Sequence, residues 1–139
     1  MKPFTPLLTL LTLTPLSAQT INVVDHLQRT RQMFLNSIAG LSEVQWKFKP
    51  APDRWSVAEC AEHIAASEDF LFQLVSEKVM KSPAASDSTA AKVDDAKVLQ
   101  VVTDRSVKAK APEPVQPTGR WATRDALLRQ FQQSRDRTT

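Results

Sequence analysis

Two histidines and one cysteine are the side chains of this sequence best suited to bind a metal ion or to carry catalysis. His26 and His63 lie far apart in the chain, so the sequence contains no local HxxxH or HExxH metal-binding pair. The single cysteine, Cys60, excludes an intrachain disulfide and a multi-cysteine zinc site. The only two glycines, Gly40 and Gly119, are too few for a P-loop or a GxGxxG motif. Phosphate-cradling loops are therefore excluded.

Length and composition indicate one helical domain. A chain of 139 residues with 42% hydrophobic residues can bury one core and has no room for two. Few glycines and no tyrosine argue against a turn-rich β-sandwich. The formal net charge of +3 is small and dispersed, apart from one short arginine-rich segment near the C-terminus. We therefore expect no nucleic-acid partner.

The first eighteen residues have the order of a secretory signal peptide. Lys2 is followed by an apolar run rich in leucine and threonine, and small residues at Ser17 and Ala18 form a cleavage site. The apolar run is about ten residues long, whereas a membrane span needs ~20, so we expect no stable membrane anchor. The sequence predicts an exported protein, periplasmic or secreted, cleaved near Ala18. The alternative is a disordered N-terminal extension.

A helix is predicted from Asn22 onwards, because apolar residues recur there every three or four positions. They form one stripe and are Val24, Leu27, Phe34, Leu35, Ile38 and Leu41. Asn22 and Asp25 resemble a capping pair at the start of this helix. His26 lies about 100° away from the stripe, so we predict a boundary or solvent histidine rather than a ligand.

A second helix is predicted to begin at Ser56, because Ser56 and Glu59 form the pattern of a capping box. Trp55 and Cys60 have the spacing of a hydrophobic staple around that start. The predicted buried stripe consists of Val57, Cys60, Ala61, Ile64, Leu71, Val75 and Val79. The predicted polar face opposite consists of Glu59, Glu62, Ala66, Asp69, Gln73 and Glu77.

Two ionisable residues of the second helix do not fit either face. His63 lies at the edge of the apolar stripe, so it is expected to point toward a neighbouring helix or a groove. Glu68 falls inside the stripe, where an unpaired carboxylate would cost several kcal/mol or become protonated. We therefore expect a buried partner for Glu68: an arginine, a lysine or a polar site next to His63.

The segments around these two helices are predicted to be mainly linkers. A short turn spans residues 42–46, and residues 82–91 are a flexible small-residue link. Asp94 and Asp95 can cap a modest helix that carries Val98, Leu99 and Val102, and prolines then hold residues 111–117 extended. Residues 82–118 together are predicted to be a long crossover.

A last helix is predicted near the C-terminus, with Thr123 as its cap and Leu127, Leu128 and Phe131 as its buried side. Arg120 and Trp121 precede this cap much as Arg54 and Trp55 precede Ser56. The helix pattern continues to Thr139 with no glycine, asparagine or proline to end it, so we expect residues 19–139 to be an incomplete domain.

Two segments of the sequence resemble the DinB/YfiT-like superfamily. The first is LSEVQWKFKPAPDRWSVAECAEHIAASE, residues 41–68, in which Trp55, Ser56, Glu59 and His63 are the most specific positions. The second is PTGRWATRDALLRQFQQSRDRT, residues 117–138, which is similar to the start of the family's third bundle helix. The resemblance implies an all-α, antiparallel four-helix bundle, of which this chain contains about three bundle helices.

The resemblance also implies a divalent-metal site, with zinc, nickel or iron held by three histidines. One ligand belongs to the second helix and corresponds to His63, whereas the other two form an HxxxH pair on a fourth helix that has no counterpart here. Glu68 is the candidate to orient His63 or to bind a substrate cation, and a structural ion pair is the alternative for it. Cys60, three positions before His63, is a weaker candidate ligand because a free cysteine usually packs as a small hydrophobe.

The implied function is that of an exported metal-dependent hydrolase or thiol-transferase that acts on an unknown small molecule. With one ligand of three, we expect the chain as given to be inactive, because a lone imidazole cannot fix the geometry of a metal or activate its water. The alternative is a non-catalytic helical scaffold or binding module, in which His63 is a packed histidine. We also expect an open apolar seam, which a homodimer would cover.

Overall fold

A computed structural model describes residues 22–84, 95–104, 106 and 109–139. The predicted signal peptide, residues 1–18, lies outside the described residues, as does most of the predicted link at residues 82–91. The described part is all-α, as expected, and contains no strand. Its five α-helices are α1 (Val23–Ile38), α2 (Glu43–Lys47), α3 (Val57–Gln73), α4 (Asp95–Thr103) and α5 (Arg124–Thr138). A π-helical turn, Leu74–Val79, continues α3, and a 3₁₀ turn spans Glu113–Val115.

Helix α1 runs antiparallel to α5, whereas α3 runs parallel to α5. Near the start of α3, Glu62 binds the backbone just before α5, and further along Asp69 binds Ser134. Arg124 at the start of α5 reaches the carbonyl of Leu41 after α1, whereas Arg135 near its end reaches the carbonyl of Leu27. Helices α3 and α5 therefore begin at the same end of the bundle, where α1 ends.

The core lies where α1, α2, α3 and α5 meet. Its buried side chains are Ile38, Trp46, Ala61, Ala65, Leu127 and Phe131. The rings of Phe34 and Phe131 pack with centroids 4.4 Å apart and a tilted geometry, a favourable arrangement for aromatic pairs. Ala61 and Ala65 bring small side chains to this core, which permits close approach of the helices.

The predicted faces of α3 are partly wrong. Four residues assigned to the buried stripe are exposed: Cys60, Leu71, Val75 and Val79. Two residues assigned to the polar face, Glu62 and Ala66, are buried. The physical reason is that α5 and the segment before it lie against the small and acidic side of α3, where they supply partners for its carboxylates. The side with larger apolar residues is left outward.

Three local predictions also need correction. The predicted turn at residues 42–46 is the short helix α2, which begins at a capping box between Ser42 and Gln45. The proline-rich segment is not extended throughout, because Glu113–Val115 forms a 3₁₀ turn with Val115 buried. Trp55 and Cys60, which have the spacing of a hydrophobic staple, are both exposed, and the Trp55 ring packs against His63.

Other predictions about the helices are confirmed. Asn22 caps α1, Ser56 and Glu59 form the capping box of α3, and Thr123 caps α5. The modest helix after residue 94 is α4, and its apolar residues Val98, Leu99, Val101 and Val102 are exposed. Among the helices of the described residues, none combines the length and the hydropathy that crossing a membrane requires.

Candidate functional site

The capping box at the start of α3 fixes the backbone that carries the candidate ligand. The Ser56 hydroxyl accepts from the Glu59 amide at 3.2 Å, and Glu59 Oε2 accepts from the Ser56 amide at 2.7 Å. Lys49 lies 2.8 Å from the other oxygen of Glu59. Burial opposes ionisation of Glu59, but Lys49 and Ser56 together lower the pKa of its carboxyl. His63 follows one turn later on this anchored helix.

His63 is half-buried, and its ring orientation is fixed by the 3₁₀ turn. Nδ1 lies 2.8 Å from the carbonyl oxygen of Val115, which is itself buried. A carbonyl oxygen can only accept, so in this contact Nδ1 is the protonated nitrogen that donates. In this tautomer Nε2 carries the lone pair that could bind a ligand. The expected position of His63, toward a groove and a neighbouring element, is confirmed.

A cavity of about 760 Å³ lies beside His63, between the start of α3 and residues 109–112. The Trp55 and His63 rings, with centroids 5.1 Å apart, both line it. Cys60 lines the same cavity and is exposed. Partial burial, with the nearby charge of Glu59, raises the pKa of the Cys60 thiol, so the thiolate is disfavoured. The cysteine therefore remains the weaker candidate ligand.

Glu62, the residue before His63, accepts several hydrogen bonds from the segment that precedes α5. The Glu62 carboxylate accepts from the amides of Thr118 at 2.7 Å, Gly119 at 2.9 and 3.0 Å, and Arg120 at 3.2 Å. The Arg120 Nε–H donates to it as well, at 3.2 Å. Gly119 has a φ of +75°, a left-handed conformation that favours glycine. This conformation lets three successive amides face one carboxylate.

Glu62 is charged despite being only 6% exposed. Burial raises the pKa of a carboxyl group, but the bonds from Thr118, Arg120 and Gly119 together lower the pKa of Glu62 below its usual value. Glu62 therefore holds the segment before α5 against α3, on the side of the helix next to His63.

Glu68 has the arginine partner that the sequence predicts. Arg135 Nη2 lies 2.5 Å from Glu68 Oε1, and both side chains are largely buried. Arg135 Nη1 also donates to the Leu27 carbonyl and to the Thr30 hydroxyl, both at 2.8 Å. These bonds give Glu68 a structural role between helices. Its proposed role in orienting a ligand stays a prediction.

Comparison with known proteins identifies the family of this fold. The family model described as the DinB superfamily matches residues 26–139. The chain belongs to the DinB superfamily. A relative of the chain, named "Uncharacterized protein YuaE", comes from Bacillus subtilis (strain 168) and is 26% identical over 104 residues. That alignment covers 75% of this chain and 60% of YuaE, so the chain spans less than two thirds of its relative. No solved structure matches significantly.

The described residues of this DinB chain do not form a complete metal site. Within the described residues, no group of three or more His, Cys, Asp or Glu side chains is placed to hold a metal ion. His26 is exposed on α1, as expected, and makes no side-chain contact with His63. The described residues thus offer one oriented imidazole, and they do not by themselves fit the three-ligand arrangement of a catalytic metal.

Sequence reasoning missed two parts of the DinB site. The Val115 carbonyl could not be assigned, because a backbone acceptor carries no signature in its own side chain. Glu62 was assigned to the polar face of α3, although the Thr118-Gly119-Arg120 segment offers several amides in need of an acceptor. A glycine before a capped helix is the signal that could have suggested such a contact.

Proposed function

We propose that this DinB-superfamily protein binds a divalent metal ion, zinc, nickel or iron, with His63 Nε2 as one ligand. With a complete set of metal ligands it would act as a metal-dependent hydrolase or thiol-transferase on a small molecule. The supporting observation is the 2.8 Å contact between His63 Nδ1 and the Val115 carbonyl. Metal-binding histidines commonly donate their other ring nitrogen to such an acceptor, which fixes tautomer and orientation.

The further ligands of this metal would have to come from outside the described residues. A site with one imidazole binds metal weakly, and it leaves the geometry of the ion undetermined. The proposal for this chain is therefore metal binding through His63, and catalysis belongs to the form of the protein in which the ligand set is complete.

The test is a titration of the full chain with Ni²⁺ and, separately, with Zn²⁺, in which isothermal calorimetry measures the affinity. His63→Ala is expected to weaken the binding by at least about tenfold. His26→Ala is the matched control, because His26 is an exposed histidine on a different helix, and it should leave the affinity unchanged. Equal affinity of the His63→Ala variant and the unaltered chain would refute the proposal.

We propose in addition that the protein is exported and that residues 1–18 are removed. The supporting pattern is Lys2, a short apolar run and the small residues Ser17 and Ala18. The test is N-terminal sequencing of the protein recovered outside the cytoplasm. A mature terminus at Gln19 is expected, and exported protein that retains Met1 would contradict cleavage.

A non-catalytic scaffold is the second candidate function, and one observation favours it. The outward side of α3 and the π-helical turn exposes Leu71, Val75 and Val79 at 55%, 47% and 58%. An apolar face of this kind is typical of an interaction surface. A protein that binds a partner through this face while showing no His63-dependent metal binding would favour the scaffold.

A further inference from the structure

The cavity beside His63 has a composition that indicates a class of organic ligand. Its volume of about 760 Å³ falls within the ~300–1,000 Å³ range of small-molecule sites. Apolar walls come from Pro50, Ala109, Ala111 and Pro112, together with Trp55. The cavity is therefore large enough and apolar enough to hold a flat hydrocarbon group.

Core packing does not account for the position of Trp55. It precedes the capping box of α3 without entering the core, and the residue remains 38% exposed. One neighbour of its ring is the His63 imidazole, tilted by 52° at a centroid distance of 5.1 Å. A large aromatic surface left partly open on a cavity wall is the feature with which a ligand ring would stack.

The charged groups that line the cavity carry a net positive charge. Arg54 and Lys110 contribute two cations, and Asp53 contributes one carboxylate. None of these three side chains forms an ion pair with any residue that the structure describes. Two cations facing an apolar cavity favour an anion at its rim, and arginine and lysine are the usual partners of a carboxylate.

We propose that this cavity binds a small carboxylic acid with a flat apolar body, the body against Trp55 and the carboxylate toward Arg54 and Lys110. This inference deepens the proposed function, because it assigns a substrate class to the site of His63. The binding itself needs no metal, since the groups that would contact the ligand are all side chains of this chain.

The experiment uses the full chain after dialysis against EDTA, so that the result does not depend on metal binding. 3-Phenylpropionate is the probe, and its uncharged analogue 3-phenylpropionamide is the ligand control. Binding is followed in ¹H–¹⁵N spectra by the Trp55 indole N–H and by the backbone amides of Cys60 and Lys110, which line the cavity and remain observable in the Trp55 variants. We expect a saturable shift of the Trp55 resonance with a Kd on the order of 1 mM. The amide should bind about threefold more weakly.

Four sets of variants separate the contribution of the Trp55 ring to binding from that of the two cations. Trp55→Ala should weaken binding at least about fivefold, whereas Trp55→Phe, which keeps an aromatic ring, should retain most of it. The double variant Arg54→Gln/Lys110→Gln should bind acid and amide equally. Lys97→Gln and Arg129→Gln, exposed cations that do not line this cavity, should preserve the preference for the acid. Thermal melts followed by circular dichroism verify that each variant is folded.

Several results would overturn the inference. They are the absence of a saturable shift below about 20 mM probe, equal binding of acid and amide by the unaltered chain, or unchanged binding by folded Trp55→Ala. The outcome is independent of the metal titration. If the chain binds the acid but shows no His63-dependent metal binding, this inference stands and the proposed metal site is refuted. If the chain binds metal through His63 but does not bind the acid, only this inference is refuted.

Discussion

Glu62 is a buried carboxylate whose ionisation stabilises the fold. Its partners are three consecutive backbone amides and one guanidinium, all from the segment that precedes α5. Charge-assisted hydrogen bonds of this kind are stronger than bonds between neutral groups, and four of them outweigh the cost of burial. The same residue stands next to His63, so this contact also supports the position of the candidate ligand.

Replacing Glu62 with glutamine should destabilise the protein by about 2 kcal/mol. The amide retains one acceptor oxygen, but its NH₂ group would face amides that can only donate. The measurement is urea denaturation near neutral pH. Glu77→Gln is the matched control, because Glu77 is exposed on the π-helical turn and has no side-chain bond within the described residues. Equal losses of unfolding free energy in the two variants would show that the bonds of Glu62 do not stabilise the fold.

The contribution of Glu62 should also depend on pH. A carboxyl whose pKa is lower in the folded state than in the unfolded state stabilises the fold above the unfolded value, here 4.5. This stability is lost as the pH falls through the folded pKa. The difference in unfolding free energy between the unaltered chain and Glu62→Gln should therefore be constant above about pH 5.5 and shrink toward pH 3. A difference that grows on acidification would be inconsistent with this assignment.

At the scale of helices, Arg135 joins α1, α3 and α5 through one side chain. Its guanidinium contacts Glu68 on α3 and both Leu27 and Thr30 on α1, whereas its backbone belongs to α5. The side chain is only 9% exposed, so water cannot replace these partners. Arg135→Ala should cost about 3–4 kcal/mol, because it leaves the Glu68 charge largely buried without its partner. Urea denaturation measures this loss.

Two comparisons test this interpretation of Arg135. Arg129→Ala removes an exposed arginine of the same helix and should change the unfolding free energy by less than about 0.5 kcal/mol. The double variant Arg135→Met/Glu68→Met should recover much of the loss, because an apolar pair of similar volume avoids the cost of burying charges. If the double variant is less stable than Arg135→Ala, the uncompensated charge is not the cause.

The starts of the helices were predictable from sequence, and their faces were only partly so. Caps such as Ser56–Glu59 and Thr123 depend on residues within one turn, so the sequence carries the whole signal. The faces of α3 depend on which distant segment covers them. Glu62 and Cys60 exchange their expected environments because the residues before α5 bring amides to the acidic side, and no local periodicity records this. For the same reason Glu68 could be assigned a buried partner but not Arg135 itself.

For the whole molecule, the exposed apolar side of α3 and the π-helical turn predicts self-association. Leu71, Val75 and Val79 lie along this side, and within the described residues no element covers them. We expect the protein to form dimers at concentrations of tens of micromolar or above, on the order of the affinity of a small apolar interface. Sedimentation velocity over a range of concentrations measures this.

Substitution on the apolar side provides the corresponding test. Val75→Lys should shift the protein toward the monomer while leaving the unfolding free energy almost unchanged, because Val75 contributes little to the core. Val44→Lys is the matched control, since Val44 on α2 is 80% exposed and lies elsewhere on the surface. If the unaltered chain stays monomeric at all concentrations, the apolar side of α3 and the π-helical turn does not mediate self-association.

The parallel arrangement of α3 and α5 has an electrostatic consequence. Both helices begin at the same end of the bundle, where α1 ends. Each helix N-terminus carries roughly +0.5 of an elementary charge and each C-terminus roughly −0.5, so the three helix dipoles leave about +0.5 at this end. A fourth helix whose C-terminus lay at this end would cancel the remaining positive charge. The carboxylates of Glu59 and Glu62 partly neutralise this positive charge from within the protein. The same positive charge would stabilise the carboxylate of a ligand bound near Trp55.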